Sequence, residues 1–135
     1  MKIFFSSDHH FSHTRVVRFC GRPFPDVGAM NLEMIRLWNE TVGPDDYIHY
    51  LGDFSWGSTS VIGATRRVLN GTIGLVRGNH DRGPKAMASA GFVNICWSTC
   101  IETEKGRILL THRPPEPLEE FRGCDAAFCG HVHEL

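Results

Sequence analysis

Five short apolar runs in this chain each end in aspartate, asparagine or histidine, and that repeated ending constrains the fold more than any other feature. Phe4-Phe5-Ser6 leads into Asp8-His9-His10, and Tyr47-Ile48-His49-Tyr50-Leu51 leads into Gly52-Asp53. Ile73-Gly74-Leu75-Val76 precedes Gly78-Asn79-His80-Asp81, Ile108-Leu109-Leu110 precedes Thr111-His112, and Ala126-Ala127-Phe128 precedes Gly130-His131-Val132-His133. Runs this short and this apolar read as buried strands. Open α/β sheets bind their ligands beyond the carboxyl ends of the strands, so these endings converge on one polar site.

Helical patterns lie between the first strands. Asp26 or Gly28 starts a helix with Met30, Met34, Leu37 and Trp38 on its apolar face, and Gly43-Pro44 stops it. That stripe reads as core. A second helix spans Ser58 to Leu69 with Val61, Ile62, Thr65 and Leu69 inward, and a short third one surrounds Pro84 to Ala90. With strands at Lys2 to Ser7, Tyr47 to Leu51 and Thr72 to Val76, the first part is βαβαβ and implies a parallel sheet. The later part is mainly β. Strands are expected at Phe92 to Trp97, Thr99 to Thr103, Arg107 to Thr111 and Asp125 to Cys129, with a hairpin turn at Glu104-Lys105-Gly106. A Pro-rich loop from Arg113 to Pro117 and a helical stretch around Leu118 to Phe121 precede the last strand. The expected fold is α/β, a four-layer α/β/β/α sandwich of two mixed sheets flanked by helices. No linker or repeat interrupts it, so residues 1–135 read as a single domain of a size that buries a core without disulfides.

Fourteen Lys and Arg against fifteen Asp and Glu give a net charge of -1, which excludes a broad electrostatic grip on nucleic acid or an anionic membrane. Five cysteines without C-x-x-C pairs argue against a disulfide framework or a zinc ribbon and read as buried thiols of a reducing compartment. No stretch approaches the ~20 apolar residues of a membrane span or resembles a signal peptide, so a cytoplasmic location is expected.

Carboxylate, imidazole and carboxamide groups without thiolate suit divalent ions such as Mn²⁺, Fe, Zn²⁺ and Ni²⁺ in a catalytic setting. Two dications ~3.5–4 Å apart need an anion between them, and Asp53 is the candidate, since Gly52 lets the backbone come close. Asp8-x-His10, Gly52-Asp53, Gly78-Asn79-His80-Asp81, Thr111-His112 and Gly130-His131-x-His133 together resemble, in order, the five blocks of the calcineurin-like metallophosphoesterases.

That resemblance implies two divalent metal ions, with Mn²⁺ the leading choice. One would be held by Asp8, His10, Asp53 and His133, the other by Asp53, Asn79, His112 and His131. His80 would contact the phosphoryl group and protonate the leaving oxygen, with Asp81 fixing the His80 ring. The reaction implied is in-line attack on phosphorus by a hydroxide held between the ions. The partner is a phosphate-ester substrate, with nucleotides and nucleic acid among the candidates. A nuclease, or a non-catalytic scaffold on the same fold, is the alternative; the histidine at position 80 favours the enzyme. The chain departs from the family at its end, where only Glu134 and Leu135 follow His133.

Outside the five blocks, His13 either reaches substrate or caps the segment that follows it. Arg22 and Arg113 are candidates for a second phosphate contact, because a guanidinium matches phosphate geometry. His49, inside a strand, reads as a hydrogen-bonded core histidine, and His9, pointing away from Asp8 and His10, reads as structural.

Overall fold

A computed structural model describes residues 1–115 and 123–133, and the helical stretch expected around Leu118 to Phe121 lies outside them. Four strands, β1 (Ile3–Ser6), β2 (Tyr47–Tyr50), β3 (Thr72–Val76) and β4 (Val93–Cys96), form the first sheet in the order β1-β2-β3-β4. All three pairings are parallel, as the βαβαβ pattern implied, so of the two sheets expected to be mixed this one is parallel among the described residues. The connections explain why: β1, β2 and β3 are each followed by a helical crossover that returns the chain to the same end of the sheet. The crossovers carry α1 (Thr14–Phe19), α2 (Val27–Thr41), α3 (Thr59–Val68) and α4 (Pro84–Ala90). β4 joins this sheet, although its sequence reads as the start of the β-rich part. A second sheet, β5 (Ser98–Thr103), β6 (Gly106–Thr111) and β7 (Ala126–Cys129), is mixed: β5 runs antiparallel and β7 parallel to β6.

Alternation along the strands sorts the core into two layers. Ile48, Tyr50, Ile73 and Leu75 pack against Trp38 and Val42 of the α2 region, Ile62 and Leu69 of the α3 region, and Met87 and Ala90 of α4. Leu51 and Val76 point the other way, onto Leu110, Ile101 and Ile108 of the second sheet. The expected α/β/β/α order is thus met in its first three layers among the described residues. No described helix is long and apolar enough to cross a membrane.

The helix boundaries follow their caps. Asp26, rather than Gly28, starts α2: its side chain accepts the Ala29 N–H at 2.8 Å. Ser58 does the same for α3. Two residues expected inward are not. Leu37 is 49 % exposed and Val61 40 % exposed, because each lies about 100° around its helix from the residue that defines the buried face, Trp38 and Ile62 respectively. The place expected for Val61 is taken by Gly63, which is buried close to Ala90 and lets α3 and α4 approach. α1 has no capping side chain and buries only Val16, which is why no periodic pattern announces it.

The cysteines are not buried thiols: Cys20 and Cys129 are exposed and the other three half-buried, all of them free. His49 is also not a core residue. It is half-buried and stacks on Phe5 with ring centroids 5.3 Å apart. Its strand alternation turns it toward the second sheet, away from the helix layer that buries Ile48 and Tyr50.

Candidate metal centre

The polar endings of β1, β2, β3, β6 and β7 meet beyond the strands, in two groups. Asp8, His10 and His133 place one ligand atom each within 4.8 Å of one another, and Asp53, His112 and His131 do the same. Asn79 joins the second group, its Oδ1 lying 3.0 Å from His112 Nε2.

Asp53 connects the groups. Its Oδ2 lies 3.5 Å from His10 Nε2 in the first and 3.3 Å from His112 Nε2 in the second. Its Oδ1 is occupied separately, accepting the His80 N–H at 2.9 Å.

The backbone is bent to achieve this. Asp8, His10, Asp53 and His131 all have positive φ, at 55°, 51°, 57° and 70°. Side chains bearing Cβ pay about 1–2 kcal/mol for that region, so the surrounding contacts must hold it. Several do so: Asp8 N–H donates to Gly52 O at 3.0 Å, His10 N–H to Asp53 O at 3.1 Å, and His131 N–H to Asp8 Oδ2 at 2.9 Å. Gly52, with φ of +93°, is required by space as well. A Cβ there would lie 2.6 Å from both Gly78 N and His112 Nδ1.

The imidazoles are oriented from behind, as metal-ligating histidines characteristically are. His112 Nδ1 donates to Leu51 O at 2.7 Å, which leaves the Nε2 lone pair facing Asp53, Asn79 and His131. His10 Nδ1 lies 3.2 Å from His13 Nδ1, and His133 Nδ1 lies 3.4 Å from Cys20 Sγ. The inner nitrogens then crowd: His10 Nε2 to His133 Nε2 is 3.2 Å, and His131 Nδ1 to His112 Nε2 is also 3.2 Å. Two ligands ~2.1 Å from a shared ion sit about 3.0–3.4 Å apart in octahedral or tetrahedral geometry, so these spacings fit divalent ions.

Asp8 Oδ1 adds independent support. It is buried without a hydrogen-bond partner, although His133 Nε2 and His10 Nε2 are 3.3 and 3.8 Å away in poor bonding geometry. An orphaned carboxylate oxygen beside two imidazole nitrogens fits a cation between them.

Burial would raise the Asp8 carboxyl, but the His10 imidazole, the Ser7 hydroxyl and the His131 N–H outweigh it and bring it to about 2. Asp53 is likewise lowered against the effect of burial, by His112 and the His80 N–H. His112 is raised: burial opposes its charge, but Asp53 and the Leu51 carbonyl favour it more strongly. His131 is lowered, by burial first and then by the charges of His112 and Arg113. The donor set therefore presents anionic carboxylates at neutral pH.

The supporting residues differ from expectation in two places. Asp81 does not orient the His80 ring. Its carboxylate accepts three backbone N–H groups, from Asp53 at 2.9 Å, Phe54 at 3.0 Å and Gly78 at 2.8 Å, and so ties the β2 loop to the β3 loop. Burial raises its carboxyl despite these bonds. Arg22 does not reach the site as a phosphate contact. Its guanidinium forks onto the Asp8 carbonyl at 2.7 Å and the His9 carbonyl, locking the first loop from behind. The sequence distance from Asp8 to Arg22 suggested proximity but not direction.

His9 is structural as expected: it bonds the Tyr50 hydroxyl at 2.8 Å and stacks on Phe11, and burial followed by the Arg22 charge lowers its imidazole to about 4. His13 lies behind His10 and stacks on Trp56 with ring centroids 4.7 Å apart at 14°. His80 is exposed at the mouth, 5.4 Å from the His10 ring and 5.5 Å from Trp56. Arg113 is exposed beside His112. Cys20, Trp56 and the Leu51 carbonyl are parts the sequence reading missed. Only Trp56 carried a signal, three residues after Asp53.

The sequence model of the calcineurin-like phosphoesterase superfamily domain matches residues 1–135. The chain belongs to that superfamily. Uncharacterized protein MJ1445 of Methanocaldococcus jannaschii is 39 % identical over 83 residues, 60 % of this chain and 47 % of that protein. The gene 66 proteins of Mycobacterium phages D29 and L5 are 37 % and 36 % identical over 83 and 86 residues, covering 59 % and 62 % of this chain and 40 % and 41 % of theirs. The matches thus span less than half the length of each of these relatives. The crystal structure of a protein of unknown function, AQ665 from Aquifex aeolicus, superposes with a TM-score of 0.70 at 28 % identity, over 89 % of this chain and 66 % of that one. Membership of this superfamily and the two ligand groups agree on a metal-dependent phosphoesterase framework.

Proposed function

We propose that this chain is a dinuclear metal-dependent phosphoesterase hydrolysing phosphodiester or phosphomonoester bonds. The observation that carries the reading is the position of Asp53 Oδ2 between the two imidazole groups, 3.5 Å from His10 and 3.3 Å from His112. A carboxylate oxygen so placed is suited to an ion on either side.

Asp8, His10, Asp53 and His133 would hold one ion, and Asp53, Asn79, His112 and His131 the other. When bound, a pair of divalent ions supplies an acidified water and neutralises charge on the phosphoryl oxygens. This chain's residues do the rest. His80, exposed at the mouth and anchored through its N–H on Asp53, is placed to contact the phosphoryl group and to protonate the leaving oxygen. Asp81 keeps Asp53 and Gly78 in register, and the His112 contact with Leu51 keeps its ring turned inward. Geometry of this kind orients the substrate in advance, so little reorganisation is needed at the moment of reaction.

The test is turnover of paired chromogenic substrates, a phosphodiester and the matching monoester, by chelator-treated protein with and without added Mn²⁺. The expected result is activity that returns with Mn²⁺ and is absent in Asp53→Asn. Two bound ions per chain with no turnover of either ester would instead favour a scaffold.

A further inference from the structure

A cleft of about 520 Å³ opens beside His80, lined by Trp56, Gly57, Thr59, Asn79, Arg82 and Ala86 among others. Trp56 is its largest wall. The indole is 48 % exposed, a large apolar surface left facing water next to the proposed reaction centre. It is nevertheless held rigidly. One face is covered by the His13 ring at 4.7 Å and 14°, the Trp56 backbone N–H donates to Phe11 O at 2.8 Å, and Ser55 Oγ donates to the same Phe11 carbonyl at 3.0 Å. His13 lines a different cleft, on the other side of His80. The bare side of the indole is therefore the one toward Arg82. Arg82 is exposed, and its Nε donates to Gly57 O at 2.7 Å, which anchors the guanidinium at the cleft wall.

We propose that Trp56 and Arg82 form a stacking subsite for the planar base of a nucleotide whose phosphate lies at His80. The location of the phosphate rests on the phosphoesterase reading above; the stacking platform does not. A braced aromatic plane next to a guanidinium accepts any heteroaromatic ring by its π-face, and base stacking of this type is tolerant of base identity. Small residues at Gly57, Thr59 and Gly83 leave the ring room to enter. The cleft across His80 lacks such a platform: Phe19, 92 % exposed there, has no ring partner among the described residues. A base on the Trp56 side also sits where His80 can serve the oxygen that links it to phosphorus.

The experiment compares binding of AMP, ribose 5-phosphate and inorganic phosphate to the Mn²⁺-loaded protein, read by calorimetry and by quenching of indole fluorescence. AMP is expected to bind about 5- to 150-fold tighter than ribose 5-phosphate, the span of one stacked base, and to quench Trp56 emission. Trp56→Leu should bring the two affinities together, and Trp56→Phe should keep most of the difference. Equal affinities in the unaltered protein, or a preference for AMP that survives in Trp56→Leu, would overturn the subsite. The comparison within the unaltered protein decides the matter even if a variant fails to fold. Turnover of bis(4-nitrophenyl) phosphate in the same samples separates the two readings. Turnover without AMP preference rejects the subsite alone, and AMP preference without turnover upholds the subsite and rejects the hydrolase.

Discussion

Replacing Gly52 with alanine tests whether the site is held by close backbone packing. Gly52 has φ of +93°, and an added Cβ would lie 2.6 Å from Gly78 N, 2.6 Å from His112 Nδ1 and 2.7 Å from Gly78 Cα. Positive φ costs an alanine about 1–3 kcal/mol. Relieving contacts this short means moving backbone on one side and a buried imidazole on the other, about 1–3 kcal/mol more by analogy with overpacked cores. The sum, about 2–6 kcal/mol, is a large fraction of the ~5–15 kcal/mol stability of an ordinary domain. The displacement also opens the 3.3 Å Asp53–His112 and 3.0 Å Asn79–His112 contacts, so Mn²⁺ affinity should fall with stability. Gly21→Ala is the matched control: its φ is +56°, and a Cβ there meets nothing within 4 Å. It should cost about 1–2 kcal/mol and leave metal binding intact. Urea denaturation followed by intrinsic fluorescence, with calorimetric Mn²⁺ titration, measures both quantities. Equal stability of the two variants, with unchanged metal affinity in Gly52→Ala, would refute the packing argument.

Three further outcomes are expected. His80→Ala should bind Mn²⁺ as the unaltered protein does and lose about 10²–10⁴-fold in kcat on esters with poor leaving groups, with a smaller loss on activated ones; equal losses on both would remove its role as acid. Arg22→Ala should lose about 2–4 kcal/mol in urea denaturation and weaken metal binding, because the carbonyls of Asp8 and His9 lose a charged donor, and Arg22→Lys should not restore either; a rise in KM alone would return Arg22 to the substrate. Asp8 has a carboxyl lowered from 3.8 to about 2, so its stabilising contribution is present above pH ~4 and lost as pH falls toward ~2; for metal-free protein this is worth about 2 kcal/mol, and Asp8→Asn should flatten the acid limb of the stability curve.

The parts legible in the sequence were those fixed by local pattern. An apolar run ending in Asp, Asn or His needs no tertiary information to be read as a strand delivering a polar group. Thus the endings of β1, β2, β3, β6 and β7 pointed to the seven residues that meet at the site, and β3 and α4 fall at the expected residues. What could not be read depends on partners distant in sequence. Arg22 and Asp81 both carry charges suited to a site, yet they spend them on backbone groups of the loops that shape it. The helix α1 buries a single side chain, so no periodicity marks it. His49 follows the same alternation as its neighbours but faces the sheet interface, where burial is incomplete. Nothing in the order of residues says that Trp56 is braced on one side by His13 and open on the other.

The central claim is that one carboxylate, Asp53, joins two metal sites. The most direct measurement is the number of Mn²⁺ ions bound per chain, by calorimetry and elemental analysis, in the unaltered protein and in Asp53→Asn. The account predicts two ions in the first and loss of metal loading in the second. A single ion in the unaltered protein, or two ions retained in Asp53→Asn, would contradict it.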